Sequence, residues 1–266
     1  MEPTSDHTLP AMIHVVDLYT ERSGRGRRLV LVHGFTQTRR CWGPEADVLA
    51  VDHEVVRIDA PGHGRSAAVD VDLPTGGQLI GEQGGRATYV GYSMGARFCL
   101  HLALGHPELV EGLVLLGATA GIDGDAERAA RRQLDQRTAD RIRAEGVEPF
   151  LDWWLAQPLF ASLPPERAFR AERLENTAEG LASSLERAGT GSQAPCWDRL
   201  SDLAMPVLVL TGAEDAKFTA LATRLADAIG TNATLAQVAG AGHAAHLEQP
   251  DRFLAVIRPW LARHGL

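Results

Sequence analysis

The sequence predicts an α/β fold: a mostly parallel, twisted sheet flanked by helices, with an all-helical segment inserted before the last strands. Three observations predict it. Strand-like and helix-like segments alternate through the first half of the chain. Several strand-like segments are continuous apolar runs, as expected of strands buried on both faces of a parallel sheet. The alternation then stops from Asp123 to Ser201 and resumes afterwards.

In order, "MIHVVDLYT" (12–20), "RRLVLVH" (27–33), "HEVVRID" (53–59), "ATYVGY" (87–92) and "VEGLVLLG" (110–117) are rich in β-branched and apolar residues and read as strands. "SMGARFCLHLALGHP" starts at a strand end and stops at Gly105 and Pro107, a helix with an ordinary stop. From residue 123, "DAERAARRQLDQRTADRIRAEG", "VEPFLDWWLAQPLF", "PPERAFRAERLEN" and "AEGLASSLERAG" follow one another as helices with no strand between them. "PVLVLTG" (206–212) and "ATLAQVAG" (233–240) are the last strands, and "DRFLAVIRPWLARHG" closes the chain as an amphipathic helix. The expected organisation is a core over 1–122, a helical lid over 123–201 and the rest of the core over 202–266. A helical insertion at the carboxyl end of a parallel sheet covers the crevice where such sheets bind ligands.

The 266 residues carry a net charge of −8 and no Lys/Arg-rich run, which argues against a nucleic-acid surface. Lys217 is the single lysine; all other basic charge is arginine. Cys41, Cys99 and Cys196 are sparse and unclustered, which fits a reducing compartment and offers neither a disulfide framework nor a metal site. "MEPTSDHTLPAM" lacks the basic-then-apolar form of a secretory signal, and no apolar run reaches the ~18 residues of a membrane span. A cytoplasmic protein that binds neither membrane nor nucleic acid, and needs no cofactor, is expected.

The chemistry centres on "VGYSMG" (90–95). A strand runs into Gly91-Tyr92-Ser93-Met94-Gly95 and a helix leaves it, the context of a nucleophile elbow, in which the serine sits on a tight turn and its flanking positions must be small. A serine nucleophile or base needs a histidine, and the histidine an orienting carboxylate. "GAEDAKF" supplies Glu214 and Asp215 just past a strand, and "GAGHAAHLEQP" supplies His243 on a glycine-rich loop, with His246 three residues on. Asp215 and His243 are the expected partners of Ser93. Two backbone N–H groups should face developing negative charge: that of Met94, after the serine, and that of Phe35, in the loop after "LVLVHGF". His33 reads as structural, and "APGHGRS" (60–66) as a turn flanking the site.

Arg97 stands one helical turn beyond Ser93 on the same face. Its planar guanidinium suits a substrate carboxylate; the alternative is an ion pair with a strand-end acid such as Asp59. Arg128, Arg131 and Arg132 on the first lid helix favour a small anionic substrate.

Together "VLVHGFTQT", "DAPGHGRSA", "VGYSMGAR", the lid phrases, "GAEDAKF" and "GAGHAAHLEQP" resemble the 2-succinyl-6-hydroxy-2,4-cyclohexadiene-1-carboxylate synthases, α/β-hydrolase-fold lyases of menaquinone biosynthesis. The resemblance covers nearly all the chain from Leu29 onward. It implies elimination of pyruvate from 2-succinyl-5-enolpyruvyl-6-hydroxy-3-cyclohexene-1-carboxylate, with Ser93 as base in a triad with His243 and Asp215. It also implies that Phe35 and Met94 stabilise the enolate, Arg97 and Arg131 bind carboxylates, and Tyr92 and Trp153 line the pocket. The sequence departs from the family at two places. A further lid arginine falls at or beside Glu175, so that either Arg173 takes its role or the contact is absent. Residues 66–87 are short and glycine-rich for the helix expected there. The competing reading is a serine hydrolase of the same fold, acting on an ester, thioester or C–C bond of a carboxylate-bearing substrate.

Overall fold

The computed structural model describes residues 17–266. Seven strands form one sheet: β1 (Thr20–Gly24), β2 (Arg27–Val32), β3 (His53–Ile58), β4 (Ala87–Tyr92), β5 (Val110–Leu116), β6 (Val207–Gly212) and β7 (Ala233–Val238). Their spatial order is β1-β3-β2-β4-β5-β6-β7, with β1 antiparallel to β3 and every other pairing parallel. Along the central strands the side chains alternate between two cores, one on each face. Val30, Val32, Tyr89, Val207 and Val209 enter one; Leu29, Leu31, Val90, Leu208 and Leu210 enter the other. This double burial is why these strands read as unbroken apolar runs.

The first strand differs from expectation. Of the strand expected over 12–20, residues 12–16 lie outside the described part and only Thr20 belongs to β1. β1 itself, "TERSG", is a polar edge strand. Its charges are spent on ion pairs, Arg22 with Glu54 at 3.1 Å and Glu21 with Arg57 at 3.6 Å, so it carries no hydrophobic period to find. Leu18 is used for packing in the first core rather than for pairing.

The helices are α1 (Gly43–Leu49), α2 (Leu73–Gly84), α3 (Met94–Gly105), α4 (Asp125–Glu145), α5 (Val147–Leu155), α6 (Arg170–Arg173), α7 (Ala178–Ala188), α8 (Ala216–Ile229), α9 (Ala245–Glu248) and α10 (Pro250–His264). α2 forms in the glycine-rich stretch 66–87, capped by Asp72, whose side chain accepts from the Thr75 N–H at 2.9 Å. Its glycines are a packing requirement. A Cβ on Gly77 would lie 2.9 Å from the Leu102 nitrogen and 3.0 Å from the Phe98 carbonyl oxygen, so α2 lies almost backbone-to-backbone on α3.

β5 and β6 are adjacent in the sheet, so the whole of 117–206 leaves the sheet and returns beside its point of departure. This excursion holds α4 to α7, which form a small core of their own from Ala139, Ile142, Phe150, Leu181, Ala182 and Leu185. Arg143 of α4 clamps Glu179 and Glu186 of α7 at 2.8 and 2.6 Å. Phe35, from the loop after β2, packs into this small core and joins it to the sheet. The chain runs from β2 outward to β3 and then back to β4, so the strand order reverses between β2 and β4. Crevices at such a reversal, beyond the carboxyl ends of the strands, are where open α/β sheets bind ligands.

Gly77→Val should lower stability by roughly 1–3 kcal/mol, because backbone on the facing helix cannot yield. Urea denaturation would read this as a fall in the midpoint at unchanged slope, and an unchanged midpoint would contradict the backbone contact.

Candidate active site

β4 ends at Tyr92 and α3 begins at Met94, leaving Ser93 alone to make the turn. Its φ of 51° and ψ of −107° lie where residues with a side chain seldom sit, at a cost of order 1–3 kcal/mol. The turn is tight because of its neighbours. A Cβ on Gly95 would lie 2.1 Å from the Val32 carbonyl oxygen, and one on Gly91 would lie 2.4 Å from the Ala96 Cα. Only glycine at both places lets α3 start against the end of β2.

The structure brings Ser93, His243 and Asp215 together from the ends of β4, β7 and β6. The His243 Nδ1–H donates to Asp215 Oδ2 at 2.8 Å, which leaves Nε2 as acceptor for the Ser93 hydroxyl at 3.1 Å. Asp215 also caps α8 by accepting from the Phe218 N–H at 3.2 Å. Burial opposes ionisation of this carboxyl. The bond and charge of His243, with the Phe218 N–H and the Lys217 ammonium, outweigh burial and hold its pKa below the usual carboxylate value. Glu214 is exposed, and it is Asp215 that holds His243. His246 is buried against Tyr92 and Trp42, with neither ring nitrogen hydrogen-bonded.

The loop after β2 is fixed from both sides. The His33 Nδ1–H donates to the Gly34 carbonyl at 2.8 Å while its Nε2 accepts from the Ala60 N–H at 3.0 Å. The His63 Nδ1–H donates to the Pro61 carbonyl at 2.9 Å while its Nε2 accepts from the Thr36 N–H at 3.3 Å. Thr36 itself has a φ of 66°. Its carbonyl accepts from Asn176 Nδ2 at 2.8 Å, and its hydroxyl accepts from Arg173 Nη1. The Gly34 N–H goes to the Gln37 side chain. The Phe35 N–H, between these two engaged neighbours, has no partner among the described residues. Phe35 and Met94 line one cavity of about 150 Å3 together with Ser93 and His243.

Arg97 and Arg131 line the same cavity. Arg97 is not paired with Asp59. That carboxylate holds the buried Arg39 at 2.9 Å, together with the Arg39 and Arg65 N–H groups. Arg97 is 8 % exposed and its guanidinium donates to the Ala188 carbonyl at 2.6 Å, with no acid in ion-pair range among the described residues. Burial, reinforced by the positive charge of Arg131 and opposed by Asp135, lowers its pKa to about 10, so it stays charged at neutral pH. The Nε of Arg131 donates to the buried Asp135 at 2.8 Å, and Asp135 also accepts from the Gly191 N–H at 3.0 Å. Of the other two arginines of α4, Arg128 donates to the Ile122 and Asp123 carbonyls just before the helix and Arg132 donates to the Gly191 carbonyl.

Two expectations are corrected and one open alternative is decided. Trp153 does not line the cavity; Trp154 does, while the Trp153 ring lies under Arg141 at 4.2 Å. The doublet "WW" offers two faces of one helix, and its packing chooses between them. Tyr92 lies behind the triad, its ring 5.4 Å from that of His243, rather than in the cavity lining. Neither Arg173 nor Glu175 reaches the cavity. Arg173 is buried under Thr36, and Glu175 accepts from Arg40 at 3.0 Å. The sequence reading also missed Phe218, whose ring lies 4.3 Å from that of His243, and Lys217 beside it. Their place directly after Asp215 was the available signal.

The pattern of the Alpha/beta hydrolase family matches residues 29–256. The 2-succinyl-6-hydroxy-2,4-cyclohexadiene-1-carboxylate synthase of Salmonella schwarzengrund (strain CVM19633) is 37% identical over 237 residues, 84% of this chain and 88% of that protein. Among solved structures, MenH from S. aureus superposes with a TM-score of 0.86 at 28% identity, covering 93% of this chain and 99% of that one. A thermophilic esterase from Thermogutta terrifontis, solved with malate bound, superposes with a TM-score of 0.82 at 25% identity, covering 94% of each chain.

The buried histidines make the site acid-sensitive. Burial lowers His33 to about 4 and His63 and His246 to about 3. For His33 and His63, each acceptor nitrogen would also lose its bond on protonation. Below the unfolded value near 6.5 the unfolded chain takes up protons that the folded chain refuses. Stability therefore falls by about 1.4 kcal/mol per pH unit for each histidine as pH drops from about 6.5 toward 4. Urea midpoints at pH 7.5, 6.0 and 5.0 check this; a flat profile over that window would contradict neutral burial.

Proposed function

The chain belongs to the 2-succinyl-6-hydroxy-2,4-cyclohexadiene-1-carboxylate synthase family of the α/β hydrolases, and from that premise we propose that it eliminates pyruvate from 2-succinyl-5-enolpyruvyl-6-hydroxy-3-cyclohexene-1-carboxylate in menaquinone biosynthesis. The observation that carries the substrate class is Arg97. A buried guanidinium that among the described residues meets only a carbonyl, 2.6 Å away, in the cavity that holds the serine is short of an anion.

The change from a 3-cyclohexene to a 2,4-cyclohexadiene defines the proton that leaves. C2 loses hydrogen, C2=C3 forms, the ring double bond moves to C4=C5, and the C5–O bond breaks. C2 bears the succinyl carbonyl, so its carbanion is an enolate whose charge rests on that oxygen. In this reading the Ser93 Oγ takes the C2 proton as its own proton passes to His243 Nε2, and Asp215 stabilises the imidazolium. The Phe35 and Met94 N–H groups receive the enolate oxygen. The departing enolpyruvate takes the proton held by His243 and tautomerises to pyruvate, which leaves His243 neutral and Ser93 carrying the proton from C2. Arg97 and Arg131 hold two of the three substrate carboxylates, and the helices of 123–201 act as a lid that keeps water from the enolate.

A hydrolytic reading uses the same triad and is favoured by the likeness to the Thermogutta terrifontis esterase. It requires an acyl-enzyme on Ser93, whereas the elimination requires none.

With freshly prepared substrate and the spontaneous rate subtracted, the wild type should release pyruvate and Ser93→Ala should lose about 10²–10⁴-fold in kcat. Pyruvate release no faster than background, with turnover of esters, would move the protein to the hydrolases. Arg97→Met should lower kcat/KM by roughly 10- to 100-fold, the worth of a charge-assisted contact of about 1.5–3 kcal/mol. Full activity in that variant would remove its carboxylate role.

A further inference from the structure

A second chamber of about 350 Å3 opens beside the catalytic cavity, and Thr119, Arg131, Thr190, Lys217 and Phe218 line both. The two spaces are therefore contiguous, with these side chains as the neck. The inner cavity, at about 150 Å3, is below the roughly 300–1,000 Å3 of ordinary small-molecule sites. A ring carrying three carboxylate-bearing substituents has to extend past the neck.

The charges beyond the neck are mostly committed. Arg224 pairs with Asp123 at 2.7 Å and stacks on Trp197, and Arg131 is held by Asp135. Glu127 stands at the solvent-exposed rim. Lys217 takes part in none of the ion pairs among the described residues. Its ammonium lies 5.7 Å from the centre of the Phe218 ring, the ring that packs on His243. It is also the only lysine in a chain that otherwise uses arginine for every basic residue. Arg173, the alternative third cation, lies under Thr36 and lines neither chamber.

We propose that the outer chamber is a carboxylate subsite with Lys217 as its cation, and that it receives the terminal carboxylate of the succinyl arm. The proposal rests on the elimination reading above. The succinyl carbonyl has to sit at the Phe35 and Met94 N–H groups, and from there two methylenes and a carboxylate continue, the longest of the three arms. The chamber matches that order: Phe218, Leu221 and Ile122 offer apolar wall, and Lys217 offers charge at the neck. An ammonium on a flexible stem can follow the end of such an arm, where a rigid guanidinium fork would demand one geometry. Because this carboxylate is remote from the reacting carbons, its contact is equal in ground and transition states and belongs to KM rather than to kcat.

The test compares wild type, Lys217→Met and Lys217→Arg in steady-state pyruvate release and in calorimetric titration with succinate and, as the uncharged control, succinamide. Lys217→Met should raise KM roughly five- to tenfold with kcat nearly unchanged, weaken succinate binding by the same factor and leave succinamide unaffected. Lys217→Arg should recover part of the loss, since it restores the charge but not the flexible ammonium. Unchanged KM and succinate binding in Lys217→Met would overturn the proposal. So would a fall in kcat alone, which would mean that Lys217 acts on Asp215 instead. A wild type without pyruvate release would sink the elimination reading, and the succinate titration would still decide the subsite.

Discussion

The contact between Gly95 and the carbonyl ends of β2 is the constraint on which the site depends. With a hypothetical Cβ only 2.1 Å from the Val32 oxygen, α3 can start there only without a side chain, and Ser93 is forced to turn in a single residue. That one approach sets several positions at once. It leaves the Met94 N–H at a free helix start, carries Arg97 one turn further along the wall of the same cavity, and places the loop after β2 opposite the serine. The strain at Ser93 is held between two buried elements, β4 and α3, which is how a marginal backbone conformation persists.

The excursion between β5 and β6 does more than cover the crevice. Asn176 and Arg173 reach down from it to the Thr36 carbonyl and hydroxyl, while His63 holds the Thr36 N–H from the body. The loop that carries Phe35 is thus clamped between both parts of the molecule. Arg173 is buried without a carboxylate partner among the described residues, and burial lowers its pKa. Arg39, by contrast, is buried against a fully buried Asp59. Breaking such a pair costs more than the pair contributes, because it strands a charge; the arrangement serves position rather than net stability.

Electrostatics in the cavity follows from which charges found partners during folding. The strand-end acid Asp59 is consumed by Arg39, so it is not available to Arg97. Asp135 neutralises Arg131 but reaches it through Nε alone. The cavity wall therefore carries more positive than negative charge although the chain as a whole carries −8. A local field of that sign recruits anions against the global charge when it is confined in a low-dielectric cleft.

The parallel sheet, the interruption by helices, the elbow and the order serine, acid, histidine were all legible in the residues, because each is written in local pattern: apolar runs, helical spacing, glycines around a serine. β1 was not, since a charged edge strand has no hydrophobic period. The choice of Trp154 over Trp153, the withdrawal of Tyr92 and Arg173 from the cavity, and the place of Lys217 were not legible either. Neighbouring residues on a helix point about 100° apart, and only the packing of α5, whose Phe150 and Trp154 rings meet Phe35, determines which face meets the cavity. The sequence by itself determined the architecture and the grouping of Ser93, His243 and Asp215. Which cations and rings border that triad was decided by tertiary packing, because a side chain's partner depends on which other charges and faces the folded chain has already taken.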